Sequence, residues 1–394
     1  MRVAGKLLRV RVLALLFELD SLVGRQSDPS VVLAGRSLLV LVAAALLDFW
    51  IGDPWGWLHP VQVMGGVIER YRQWAIAWSP AAWLMRLVGV GLTVLLVLGT
   101  GLLSTALLGA LNLLSPVLSA GVEVILLASC FAGRSLRRAA DDVLTALPKV
   151  SKADNYDDAG DAGDFEPGSL DQARDRLALY VGRDTAQLSA REIRRAVMET
   201  VSENAIDGVL APLFYALVGS AFSSLLIWRG WTGTAWAGAG LSLAVPTALA
   251  YKAASTLDSM VGYRDMPYTD LGWCSARFED VITWLPCRLS VLTIAVLSGR
   301  PWRVWAICWR DARADPSPNA GWSECAYAAA LGVQLGGANI YQGKLTVKPA
   351  LGDATRPITD AVIAEALSIT RCCFLIGLSL GCALLLAVFF ITPL

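Results

Sequence analysis

Three carboxylates stand four residues apart in the stretch "METVSENAIDGVLAPLFY" (198–215): Glu199, Glu203 and Asp207. At i, i+4 and i+8 of a helix such groups share one face. Like charges stacked there repel unless a cation or a basic partner neutralises them. Mg²⁺ suits the task, because it takes carboxylate oxygen, keeps several waters and commonly holds a substrate phosphate as well. Asn204 adds an amide, and Gly208 and Pro212 loosen the helix just beyond. The alternative is a solvated face balanced by Arg191, Arg194 and Arg195, one or two turns earlier. Spacing alone leaves both readings open.

Three further stretches combine reactive groups with turn residues. "DFWIGDPWGWLHPVQVMGG" (48–66) carries Asp48 near the end of an apolar run, Asp53 in a Gly-Asp-Pro turn, and the chain's single histidine, His59, before Pro60. An imidazole titrates near neutrality and suits a general base or a phosphate contact; an interfacial Trp/His belt is the competing reading. "YKAASTLDSMVGYRDMPYTDLGWCSARFEDVITWLPCRL" (251–289) reads as a loop with balanced charges: Lys252, Asp258, Arg264, Asp270, Arg277, Glu279, Asp280 and Arg288. Such a loop fits a phosphate-bearing ligand with a metal, or a set of internal salt bridges. "DPSPNAGWSECAYAAALGVQLGGANIYQGK" (315–344) predicts a helix capped by Asn319 or Ser323, then a glycine-rich stretch with Asn339 and Lys344. It is not a Walker A loop: Gly337 to Gly343 encloses five residues, and Leu345 follows Lys344 where Ser or Thr is required. Arg183 and Asp184 form a turn before the acidic helix, and "RPITDAVIAEAL" starts a helix at Thr359 or Asp360.

The elements that must position these groups are apolar. The 394 residues are 55% hydrophobic and 17% charged, with mean hydropathy +0.54. Apolar spans fall at about 37–51, 87–114, 117–133, 208–228, 233–251, 282–298 and 373–392. A membrane helix needs about 20 such residues. The expected architecture is therefore an all-α polytopic membrane protein with about five to seven spans. The 282–298 segment is short and interrupted by Pro286 and Arg288, which suggests a re-entrant or interfacial piece. Residues 1–36 read as a surface or disordered tail, and 37–394 as one integral membrane domain. Net charge is zero, so nothing argues for nucleic acid. The eight cysteines make no C-x-x-C pair and read as buried thiols.

Residues 134–207 hold eleven Lys or Arg and 299–372 hold eight. The positive-inside rule places both on the cytosolic side of the cell (inner) membrane, as the loop regions 134–207 and 252–372. The tail, with six positives, runs against that orientation. Within 134–207, "KADNYDDAGDAGDFEPGS" reads as an acidic linker.

Taken together, "GDPWGWLHPV", "YVGRDT", "SENAIDGVLAPLFYALVG", "YKAASTLDSMVGY", "TDLGWCSARFEDVITWLPCRL", "SPNAGWSE", "LGGANIYQGK" and "RPITD" resemble the cobalamin-biosynthesis membrane proteins called CobD or CbiB. The pieces occur in family order over most of residues 40–392. Two positions depart from the family pattern, at Ala205 and Ser255, and no carboxylate is lost. The resemblance implies an ATP-dependent amide-forming ligase. It would attach aminopropanol or its O-phosphate to the propionate carboxyl of adenosylcobyric acid, giving adenosylcobinamide or its phosphate. It further implies ATP and Mg²⁺, the metal held by Glu199, Glu203 and Asp207 with Asp258 or Asp280. Lys252, Arg264 and Arg277 would contact phosphates, with Asn319, Asn339 and Lys344 in the substrate-binding loops. His59 or Asp53 would take the proton from the attacking ammonium, and Glu203 and Asp207 would join them in catalysis. Expected partners are the corrinoid, the amine, the bilayer, and a second copy or other membrane proteins of the pathway. A non-catalytic sensor of the AmpE type shares a comparable span pattern but needs fewer charged loops. A transporter would place its charges near mid-membrane, whereas here they cluster at one edge.

Overall fold

The computed structural model describes residues 29–52, 59–78, 80–148, 170–229, 242–263 and 266–391. Asp53, Arg264, the whole acidic linker and part of the 233–251 span lie outside the described residues. In chain order the helices are α1 (Pro29–Trp50), α2 (Pro60–Trp78), α3 (Ala82–Leu114), α4 (Pro116–Ala128), α5 (Gly133–Ala146), α6 (Asp171–Ala178) and α7 (Ala190–Asn204). A π-helical turn, Ala205–Leu210, leads into α8 (Ala211–Trp228). Then come α9 (Ala244–Val261), α10 (Tyr268–Leu271), α11 (Trp273–Leu297), α12 (Pro301–Asp311) and α13 (Ala320–Leu331). The strands β1 (Leu335–Tyr341) and β2 (Lys344–Leu351) precede the last helix, α14 (Asp360–Ile391).

Among the described residues six helical stretches are long and apolar enough to cross a membrane: Leu33–Trp50, Ala82–Leu114, Pro116–Ala146, Ala190–Ile227, Trp273–Leu297 and Asp360–Ala387. The fold is an all-α polytopic one with, among the described residues, one small hairpin. Three expectations need correction. The 282–298 segment is not a separate short piece. It is the second half of α11, which runs through Pro286 without a break. Proline removes one i→i−4 hydrogen bond, and the 25-residue helix absorbs that loss. The "loop" from 252 is helix as far as Val261, because no breaker stands before Gly262; Lys252 and Asp258 are therefore helical residues of α9. The tail also ends early: α1 starts at Pro29, so Arg36 belongs to it.

The chain divides into two compact units. The first holds residues up to 132, 211–279 and 375–394. Within it, α9 packs on α8, α3, α2 and α4, and α1 packs on α4 and α8. Leu41, Leu92, Leu108, Leu127 and Leu257 are buried. Leu95, Leu98, Leu102 and Leu113 of α3 stay exposed, which suits a face turned to lipid, where outward leucine costs nothing. Arg36 ties three helices: its guanidinium donates to Asn112 Oδ1 at 2.8 Å, Ser119 Oγ at 3.0 Å and Glu123 Oε1 at 2.7 Å.

The second unit holds residues 133–210 and 280–374. Here α13 packs on α12 and α7, and the hairpin packs on α7, α12 and α13. The stretch 335–344, read as exposed loop backbone, instead forms an antiparallel ladder from Leu335↔Leu351 to Tyr341↔Lys344. Gln342 (φ 49°) and Gly343 (φ 75°) make its two-residue turn, and paired positive φ values match the twist of the flanking strands. Helix α7 opens with a capping box, Ser189 and Glu192. At α13 neither predicted cap acts as one: Ser317 Oγ accepts from the Asn319 and Ala320 N–H groups, at 3.3 and 3.1 Å. Ser323 Oγ donates instead to the Ser202 carbonyl, joining α13 to α7.

Candidate functional site

The acidic stretch does not keep its three carboxylates on one face. The π turn begins at Ala205 and interrupts the 3.6-residue period, so i,i+4 stacking holds for Glu199 and Glu203 but not for Asp207. The three also differ in surroundings: Glu199 is buried, Glu203 is exposed and Asp207 is intermediate.

Glu199 is fully engaged. Arg183 Nη2 meets Glu199 Oε2 at 2.5 Å, with both side chains buried, and the Gly336 N–H donates to Glu199 Oε1 at 2.9 Å. Arg183 Nη1 donates to Asn339 Oδ1 at 2.7 Å. Arg195 donates to the Gly336 carbonyl, to Ala338 O at 2.9 Å and to Asn339 Oδ1 at 3.2 Å. Gly336 has φ +84°, and a Cβ there would collide with the Pro349 carbonyl, so only glycine can bring its N–H to Glu199. Asp184 grips the hairpin turn, accepting from Gln342 N–H at 3.3 Å and Gly343 N–H at 2.8 Å. The motif "YVGRDT", Arg195 and Glu199 of α7, and "GGANIYQGK" thus form one polar network, buried at Arg183 and Glu199. The sequence showed each motif, but not that they bind one another.

Glu203, one turn beyond Glu199, stays accessible. Lys348 and Arg183 attract its charge, while Asp315 and Glu199 oppose it. Two members of this cluster were not singled out from the sequence. Glu324 of α13 is fully buried, its Oε1 lies 3.7 Å from Lys348 Nζ, and neither of its oxygens has a hydrogen-bond donor. Burial, reinforced by Glu203, Glu199 and Asp315, outweighs Lys348 and pushes the Glu324 carboxyl up to about 8. Burial works against the Lys348 ammonium, but Glu324, Glu203 and Glu199 more than offset it and hold its pKa above the usual lysine range. A glutamate in "SPNAGWSE" gave no sign of this, because a helix-start reading predicts surface. Lys348 lies in β2, an element not foreseen.

A pH prediction follows from Glu324. Its folded pKa, about 8, lies above the unfolded value of about 4.3. Between these values the folded state binds the extra proton, so stability falls as pH rises through that window and levels off above it. A Glu324→Gln variant is expected to show a shallower decline in Tm from pH 5 to 8 than the parent. Parallel Tm curves for the two proteins would refute the assignment.

The other predicted residues are placed as follows. His59 caps α2: its Nδ1 accepts the Val61 N–H at 3.2 Å. Lys252 and Asp258 lie on α9 in the first unit and are half-buried, and Arg277 is exposed on α11. In the second unit, Asp280 accepts through its backbone carbonyl from Asn319 Nδ2 at 2.9 Å. Asn319 Oδ1 is buried and lacks a donor. Lys344 is exposed at the hairpin turn. Among the described residues no group of three or more His, Cys, Asp or Glu is arranged to hold a metal ion.

Comparison with known proteins agrees with the motifs. The family described as "CobD/Cbib protein" matches residues 41–370. A Synechocystis sp. protein named cobalamin biosynthesis protein CobD is 47% identical over 352 residues, covering 89% of this chain and 93% of the relative. The CobD of Photorhabdus laumondii is 37% identical, covering 82% of this chain and 89% of its own length. The cobalamin biosynthesis protein CbiB of Salmonella typhimurium is likewise 37% identical, with the same two coverages of 82% and 89%. No solved structure matches. With the family spanning so much of the sequence, and relatives aligned along nearly their whole length, the chain belongs to the CobD/CbiB family.

Proposed function

We propose that this protein acts in cobalamin biosynthesis as an ATP-dependent amide ligase. It would join aminopropanol, or its O-phosphate, to the propionate carboxyl of adenosylcobyric acid. The relatives' names support the pathway. The observation that carries an acid–base and charge-handling role is the Glu203–Glu324–Lys348 cluster, in which a buried carboxylate has no hydrogen-bond donor. Natural folds rarely tolerate such a group without a use for it.

The residues fit a metal that arrives with its nucleotide. Mg²⁺ is commonly held by substrate phosphates and one or two carboxylates rather than by a protein cage, and Glu203 is an exposed carboxylate open to such an ion. Glu199 is committed to Arg183 and Gly336 and serves to position the hairpin. Metal contacts for Asp207, Asp258 and Asp280 rest on the family motifs they occupy. So do phosphate contacts for Lys252, Arg264, Arg277 and Lys344, and proton transfer by Asp53 or His59. When bound, Mg-ATP supplies the activation that makes the propionate an acyl donor. The chain's own part is to orient carboxylate and amine and to stabilise charge. The site is proposed to face the cytoplasm from the inner membrane, on the strength of the positively charged loops.

The test is complementation of a cobalamin auxotroph lacking this step. The parent protein is expected to restore growth on cobyric acid. A Glu203→Gln variant, present in the membrane at equal level, is expected to grow only when cobinamide is supplied. In vitro, at least a 100-fold lower rate of amide formation is expected for the variant. If the parent fails to rescue although it is inserted, the ligase reading is wrong.

A further inference from the structure

Helix α12 has two unlike faces. Val304, Ile307 and Cys308 are buried, and the helix packs on α13. Trp302, Trp305 and Trp309 stand at i, i+3 and i+7, so they form one stripe on the opposite side. Their exposures are 85%, 39% and 52%. Large apolar side chains gathered in one exposed stripe mark a surface that meets something other than water. We propose that α12 lies in the plane of the membrane surface as an interfacial anchor. Its tryptophans enter the boundary between headgroups and acyl chains, and its arginines meet the phosphates of an anionic leaflet.

The path of the chain puts α12 at that level. Helix α11 is long and apolar enough to cross a membrane, and it shows an exposed stripe of Val281, Leu285, Leu292 and Val296. It ends at Leu297, and only Ser298, Gly299 and Arg300 separate it from Pro301, the first residue of α12. Three residues reach no further than about 11 Å. The link is also tight. Ser298 and Gly299 donate their N–H groups to the carbonyls of Ile294 and Val296, and Gly299 takes φ +68°, the left-handed conformation common just past a helix end. So α12 begins where α11 leaves the hydrocarbon. With 11 residues it is about 16 Å long, too short to cross by itself.

The charges select an anionic leaflet. Residues 300–313 contain four arginines and one aspartate. Arg310 pairs with Asp311 and Asp353, and Arg303 reaches Asp353 at 3.7 Å. Four guanidiniums therefore answer to two carboxylates. The next acid along the chain, Asp315, accepts the Ser317 N–H at 2.8 Å and acts on Glu203 and Glu324. The Arg313 guanidinium lies 3.6 Å from the centre of the Trp309 ring, a charge carried on an indole, as suits the headgroup level. Trp305 and Trp309 rest against Trp322 of α13, with ring centres 5.5 and 6.4 Å away, so the stripe is braced from behind. An anchored α12 holds α13 at the membrane surface, and with it the buried Glu324.

The experiment uses the full-length protein in nanodiscs. A nitroxide is attached through a keto amino acid that replaces Ala306, which is exposed beside the stripe. The control carries the same label in place of Asp171, exposed on the polar helix α6. Power saturation compares collisions with oxygen, which concentrates in lipid, and with a water-soluble nickel chelate. In discs containing phosphatidylglycerol the oxygen-to-nickel ratio is expected to be about 5-fold higher at 306 than at 171, the mark of a site about 5–10 Å into the interface. Exchanging phosphatidylglycerol for phosphatidylcholine is expected to lower the ratio at 306 about 2-fold, because the attraction of arginine to an anionic surface is lost. Trp302→Ser is expected to lower it in both lipids. Arg300→Gln combined with Arg313→Gln is expected to remove the difference between the lipids. Equal ratios at 306 and 171 in both lipids would overturn the anchor. Shielding of 306 from oxygen and nickel alike would also overturn it, since a protein surface such as a second copy would then cover the stripe. A high ratio at 306 that is the same in both lipids would refute the anionic preference.

Discussion

Replacing Arg183 with leucine is expected to destabilise the protein by about 3–5 kcal/mol, the cost of leaving one member of a buried ion pair without its partner. Arg183 and Glu199 meet at 2.5 Å with side-chain exposures of only 6% and 2%. The guanidinium also donates to Asn339 Oδ1 at 2.7 Å, so its loss strands a buried carboxylate and leaves Asn339 Oδ1 with the longer Arg195 bond at 3.2 Å. The Gly336 N–H alone cannot replace it, since it reaches only Glu199 Oε1. The hairpin should loosen from α7, and the cluster containing Lys348 should lose its order. Thermal unfolding in detergent and limited proteolysis near the hairpin would measure this. Replacing both Arg183 and Glu199 with leucine should cost less than the single change, because no charge is then stranded. Equal stability of Arg183→Leu and the parent would show that the network holds nothing together.

The second large effect is expected in the apolar helices. Arg36 of α1 pairs with Glu123 of α4, through contacts at 2.7 and 3.4 Å, and also binds Asn112 and Ser119. Arg36 and Glu123 lie in stretches long and apolar enough to cross a membrane. Water cannot replace a lost partner there, so the remaining group must find protein donors or change its protonation. Arg36→Leu is expected to cost about 3–5 kcal/mol and to lower the amount of folded protein in the membrane. Arg36→Lys should recover only part of the loss, because an ammonium cannot reproduce the planar fork that reaches three side chains. Folded fractions by gel filtration in detergent would report both. Parent-like recovery of Arg36→Leu would rule out the clamp.

Arg36 shows what charge counting leaves out. As one of six positives in a supposed tail it weighed against the orientation. In the fold it is an internal residue whose charge is matched by Glu123. A loop count cannot tell a charge that faces solvent from one that is paired. The same limit applied to "METVSENAID". Spacing correctly put Glu199 and Glu203 on adjacent turns. It could not foresee the π turn that displaces Asp207, nor that Glu199 would be used up by Arg183, sixteen residues earlier. The hairpin was missed because "GGANIYQGKLTVKPAL" was read for its glycines, although Gln342-Gly343 between alternating residues was there to be seen as a two-residue turn.

What the sequence determined by itself was whatever depends on composition and on motif order: the apolar helices, the family, and which short stretches carry charge. These are local or cumulative properties, and a long apolar run buries itself in lipid whatever its neighbours do. What only the tertiary structure decided is which charges meet. Glu324 and Lys348 are ordinary in sequence, one in a helix start and the other in a strand. They acquire their chemistry because α13 and β2 pack together in the second unit, where burial strips water from both groups and makes each answerable to the other.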